Sequence, residues 1–114
     1  MATSKSFSEP EELERGLALI DVGAYFEAHE VLEDLWRAAS SEERDFFQGL
    51  VHVAVAWHHA GRGNRPGCER QLAKAARRLG PYAPTHRGVD VGDLLRQVEQ
   101  ASFPGLARVK IKRR

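Results

Sequence analysis

The sequence predicts an all-α protein, a single compact bundle of about five helices with the third buried at its centre and paired with the fourth as a helix-turn-helix. Three observations predict it. Apolar residues recur at helical spacing along most of the chain. Helix-starting and helix-stopping residues punctuate these runs. One run, "ERDFFQGLVHVAVAWHHA", is apolar on nearly every side. A chain of 114 residues is long enough for one real core and too short for two.

Ser8 followed by Glu11 has the form of a capping box, and Pro10 suits a first turn, so a first helix is expected over about residues 9–21. Gly23 separates it from a second helix over about residues 24–39. Ser40 with Glu43, or Ser41 as the cap itself, opens the third, which stops at Gly61 or Gly63. Asn64 and Pro66 start a fourth helix that runs to Leu79. "GPYAPTHRG" reads as a loop. Asp90 caps a fifth helix that ends near Ser102, before Pro104. Residues 1–8 are expected to be a disordered N-terminus, residues 9–103 the bundle, and residues 104–114 a basic C-terminal tail, mobile or partner-facing, with a short strand as the alternative.

The composition, 42% hydrophobic and 29% charged, is that of an ordinary globular protein and argues against disorder or a fibrous repeat. No run approaches the roughly 20 apolar residues of a membrane span, and the polar start "MATSKSFSEPEE" lacks a signal-peptide core, so a cytoplasmic location is expected. The lone Cys68 fits a reducing compartment and reads as a small hydrophobe. Charge is unevenly spread. Through Asp45 there are 12 acidic and 4 basic side chains, and from Phe46 onward 4 acidic and 13 basic. Either the two halves pack together and partly cancel, or the surface is dipolar and steers a charged partner.

With residues spaced about 100° apart on a helix, the third helix carries Phe46, Leu50, Val53 and Trp57 on one arc and Phe47, Val51 and Ala54 on another. Yet Gln48, His52 and His59 fall within about 40° of one another, beside Asp45. A polar stripe on a central helix needs partners. The second helix is expected to supply them. In "GAYFEAHEVLEDLWR", Tyr25, Ala28, Leu32, Leu35 and Trp36 form the apolar face, and Glu27, Glu30 and Asp34 face water. His29 and Glu33, one turn apart, lie on the border.

The segments "GAYFEAHEVLEDLWR", "RDFFQGLVHVAVAWHHAGRGN", "PGCERQLAKAARRL" and "GVDVGDLLRQV", in this order over most of residues 20–98, resemble the successive blocks of domain of unknown function family 309. That resemblance implies a small all-helical protein with its strongest motif in the second and third helices, and no established activity. It marks Glu27, His29, Glu30, Glu33, Trp36, Gln48, Gly49, Gly63 and Asn64 as pattern residues. His52 stands where that pattern more often carries glutamine.

Three functional readings follow. The leading one is a non-catalytic ligand-binding or protein-interaction module whose site is made by His29, Glu33, Trp36, Gln48, His52, His59 and Asn64. The paired third and fourth helices resemble a tetratricopeptide unit, and aromatic surface with convergent polar groups suits a ligand. The second is a divalent-metal protein or metal-dependent hydrolase. "HEVLE" is close to the His-Glu-x-x-His of zinc peptidases, so His29 and Glu33 would be ligands and His52 or His59 would complete the set. The third is nucleic acid, through Arg62, Arg65, Arg70, Lys74, Arg77, Arg78 and "KIKRR"; a pI near 8.0 speaks against it. Beside all three stands a buried His-Glu-Gln-His network that only fixes helix register. No cofactor is expected unless the metal reading holds. The expected partner is a second copy of the chain, another protein or a small molecule, and neither a membrane nor nucleic acid.

Overall fold

Caps and apolar periodicity set the helix boundaries of the computed structural model, which describes residues 8–101 and 106–114. The helices are α1 (Glu9–Asp21), α2 (Tyr25–Ala38), α3 (Ser41–Gly61), α4 (Arg65–Leu79) and α5 (Val91–Gln100). Three of the expected caps form: the Ser8 hydroxyl accepts from the Glu11 N–H, Asn64 from Gly67 and Asp90 from Asp93. Each satisfies a backbone donor that the first helical turn leaves without a partner. Residues 1–7 of the expected N-terminal segment, and the expected helix end near Ser102 and Pro104, lie outside the described residues.

α3 is the central element. Phe46, Phe47, Leu50, Val53, Ala54, Ala56 and Trp57 are buried along it, and it packs against α2 on one side and α4 on the other. The contact with α4 is especially close at Gly49. A Cβ there would stand 2.6 Å from both Cγ and Cδ2 of Leu79, which is itself fully buried. The turns at Ala39–Ser40 and Arg62–Asn64 are short, as antiparallel helix neighbours require. The expected helix-turn-helix of α3 and α4 is the most extensive pairing in the fold.

Two regions differ from the sequence reading. "GPYAPTHRG" holds a 3-10 turn (Gly80–Tyr82) and a small antiparallel hairpin, β1 (Thr85–His86) and β2 (Val89–Asp90). Arg87 and Gly88 form its turn with φ of 49° and 77°, the pair of positive values that a type I′ turn requires. The segment has no apolar alternation to mark it as a hairpin.

The basic segment is not a free tail over its described residues. Val109 and Ile111 are buried, and Asp90 N–H donates to the Lys112 carbonyl while Arg114 N–H donates to Gly88. Ile111 N–H donates to the Asp21 carboxylate at 2.7 Å, and the Trp57 indole donates to the Ala107 carbonyl at 2.8 Å. The physical reason is a period of two: Val109 and Ile111 point inward and alternate with Arg108, Lys110 and Lys112, which are exposed. Arg113 pairs with Glu14 and Asp21, and Arg114 with Asp90. With Arg78 on Asp45 and Arg87 on Glu9 and Glu43, the acidic and basic halves of the chain meet and partly neutralise each other. Among the described residues no helix is long and apolar enough to cross a membrane.

Candidate functional site: a cleft between the second, third and fourth helices

His29, Glu33 and Trp36 lie one and two turns apart on the border of α2, and Gln48, Val51, His52 and Val55 recur at the same spacing on α3. The two rows face each other across a cleft of about 230 Å³, closed on the third side by Gln71 of α4. Trp36 is half-buried, and the Arg44 guanidinium stands over its ring, 5.1 Å from the centroid. Such stacking limits the indole's motion and leaves one amphipathic wall to the cleft.

Three of the four polar residues of the α3 stripe find partners at α4, not on α2. Asp45 accepts from Arg78 at 2.8 Å, His52 Nδ1 lies 2.7 Å from Gln71 Oε1, and His59 Nδ1 lies 3.3 Å from the Asn64 amide at the start of α4. The reason is geometric. Residues on the stripe lie over the α3–α4 seam, where α4 approaches closely at Gly49, whereas α2 meets α3 through Ala28, Leu32 and Leu35. Burial lowers the His52 pKa, and the nearby charges of Lys74, Arg78 and Arg77 lower it further against the raising effect of Gln71. His52 is therefore neutral at neutral pH, with Nδ1–H donating to the Gln71 oxygen and Nε2 left as an acceptor.

The α2 edge is looser. His29 Nε2 and Glu33 Oε1 are 3.7 Å apart, too far for a hydrogen bond. Glu33 instead accepts from Arg37 at 3.3 Å, and His29 Nδ1 sits 3.3 Å from the Phe26 carbonyl. Their side chains are 25% and 33% exposed. No hydrogen bond among the described residues joins them to Gln48 or His52, so the expected buried His-Glu-Gln-His network is absent. Nor do His29, Glu33 and His52 fit a metal. Among the described residues no three His, Cys, Asp or Glu side chains stand close enough to hold one.

Five of the seven expected site residues thus line one cleft: His29, Glu33, Trp36, Gln48 and His52. His59 and Asn64 do not. His59 shares the stripe's phase but lies two turns further along α3, and Asn64 is the N-cap of α4, so the two together secure the α3–α4 turn. His58 packs instead on the exposed ring of Phe26, with centroids 5.6 Å apart. Gln71 was missed, although it lies one turn from the buried Cys68 and Ala75 on the face of α4 that meets α3. A second polar cluster was missed as well. Glu43 Oε1 accepts from Arg87 at 2.6 Å and lies 2.7 Å from His86 Nε2, and the His86 ring packs on Phe46 and Tyr82. Burial raises the Glu43 pKa, but the hydrogen bonds and charges of Arg87 and His86 outweigh it and hold the carboxyl below its ordinary value.

The fold and cleft define a small all-helical protein with a half-open polar groove over its central helix. More particularly, the chain belongs to the family described as Domain of unknown function (DUF309), whose model matches residues 13–71. All the cleft residues fall inside that match, whereas the segment "GVDVGDLLRQV" lies beyond it. The chain is similar to the uncharacterized protein YpuF of Bacillus subtilis (strain 168), 36% identical over 67 residues, which are 58% of this chain and 37% of the relative. It is also similar to an uncharacterized protein of Aquifex aeolicus (strain VF5), 26% identical over 93 residues, 81% of this chain and 28% of the relative. The chain therefore spans well under half the length of these curated relatives.

Proposed function

We propose that the protein is a non-catalytic binding and interaction module that receives a polar group of a small molecule or of another protein chain in the cleft between α2, α3 and α4. One observation carries this reading: an indole wall, a valine-lined floor and hydrogen-bonding amide and imidazole groups converge on one half-open cleft. Apolar contact supplies area, and a few fixed polar groups supply orientation. The residues suit binding better than reaction. His52 holds Gln71 through Nδ1 and keeps Nε2 as a hydrogen-bond acceptor, and His29 and Glu33 make no acid/base hydrogen bond with each other. That relatives carry a similar stretch as a minor part of a longer chain supports a modular use.

The two tryptophans supply the test. The Trp57 indole N–H is held by the Ala107 carbonyl away from the cleft, whereas Trp36 lines it. Isotope-labelled protein is titrated with a panel of short peptides and small polar molecules while both indole resonances are followed. Saturable shifts at Trp36 and the Gln71 amide, with Trp57 unmoved, are the expected result. Ligands that saturate elsewhere, or a panel that moves neither group, contradict the reading. Stoichiometric zinc, iron or manganese in protein purified without a histidine tag, lost in His29→Ala, would contradict it in favour of a metal site.

A further inference from the structure

The two rims of the cleft carry opposite charge. On the α2 side Glu33 lines the cleft, and the groove next to it holds the exposed Glu30, Asp34 and Glu27 with Arg15 and Arg37, an acidic excess in which Arg37 pairs with Glu33 and Asp34. On the α4 side Lys74 and Arg77 are close enough to His52 to depress its pKa, and they lie exposed with Arg70 along α4. Glu27, Glu30, Arg70, Lys74 and Arg77 have no ion-pair partner among the described residues, whereas their neighbours Asp34, Glu69 and Arg78 are paired. Each rim therefore keeps charge that nothing in the described fold neutralises. Between the rims lies a floor of partly exposed Val51 and Val55.

We propose that the occupant of this cleft face is a second copy of the chain, docked face to face about a twofold axis that runs along α3. This rests on the reading of the cleft as an interaction site and names the partner. The charge pattern selects the axis. A partner rotated about an axis along α3 exchanges left for right and sets its acidic α2 rim over the basic α4 rim of the first copy, and the reverse contact follows by symmetry. A partner rotated about an axis across α3 sets acid on acid and base on base, which is repulsive at both rims. The first arrangement packs the two α3 floors against each other and brings unpaired charges together twice. Because the floor is small and the rims are solvated, the dimer is weak and salt-sensitive.

The test is sedimentation equilibrium of the native chain and two single charge reversals at exposed positions, Glu30→Lys and Lys74→Glu, at low and moderate salt. The native chain should dimerise reversibly and less tightly as salt rises. Each reversal enters the interface twice and should weaken dimerisation about tenfold or more. Mixed in equal amounts, the two variants should recover it, because at both rims of the mixed dimer acid again faces base. Glu27→Lys and Arg70→Glu make the same swap if either variant melts abnormally. A native chain that stays monomeric, a dimer indifferent to both reversals, or reversals that weaken it without recovery on mixing would each overturn the proposal. A saturable ligand shift at Trp36 in a monomeric chain would leave the binding reading standing while this proposal fails.

Discussion

Gly49→Ala sets two known effects against each other, and the structure decides which wins. Glycine in the interior of a helix is less favourable than alanine by about 1 kcal/mol, so on local grounds the change should stabilise α3. The added methyl, however, would sit 2.6 Å from two carbons of Leu79 and 3.3 Å from Cβ of Arg78. Carbon atoms pack best at about 3.5–4.0 Å, so α4 would have to retreat by about an ångström, and Leu79 is fully buried with no room to turn aside. Overpacking of this kind costs about 1–3 kcal/mol, and the same retreat lengthens the Asp45–Arg78 and His52–Gln71 contacts. The expected net loss is about 1–2 kcal/mol, or roughly 5–15 °C in melting temperature for a domain of this size. Thermal unfolding followed by circular dichroism measures it. An unchanged or raised melting temperature would refute the close α3–α4 approach on which the cleft is built.

Gln71→Leu removes the partner of His52 and should cost about 1 kcal/mol in denaturant unfolding; no loss would mean that the 2.7 Å contact contributes nothing. The folded-state pKa of His52 is lowered, so the unfolded chain takes up its proton first, and stability present above about pH 6.5 is lost as pH falls toward the folded value. Native protein should therefore lose more stability between neutral and mildly acidic pH than His52→Gln, and parallel pH curves would contradict this. Asp21→Ala strips the acceptor from the buried Ile111 N–H and one partner from Arg113. It should cost about 1–3 kcal/mol and speed proteolysis near the C-terminus, with Asp21→Asn milder because it keeps an acceptor. Equal behaviour of the two variants would contradict the role assigned to that hydrogen bond.

What was legible in the sequence was what is local. Ser8, Asn64 and Asp90 each make the capping bond their position suggests, because a cap depends only on the next few residues. The α2 and α3 edges of the cleft follow from helical phase in the same way. Phase alone places a residue around an axis and not along it, which is why the sequence groups His59 with His52 although it closes the α3–α4 turn. It also does not say which neighbour covers a face, so the sequence points to α2 for partners that Asp45, His52 and His59 find at α4. Gln71 could be found only by turning α4 until Cys68 and Ala75 faced α3. The hairpin stayed hidden because Arg87–Gly88 is an unusual turn pair, and the C-terminal segment because its charges masked the inward alternation of Val109 and Ile111.

The central claim is that the protein meets a second copy of itself at the cleft over α3. A dilution series of the isotope-labelled native chain tests it most directly, with the Trp36 and Trp57 indole resonances read side by side. The account predicts that Trp36 shifts reversibly with concentration and salt while Trp57, held by Ala107, stays in place. Concentration-dependent shifts confined to Trp57 and the C-terminal segment, or a Trp36 signal that never moves, would contradict it.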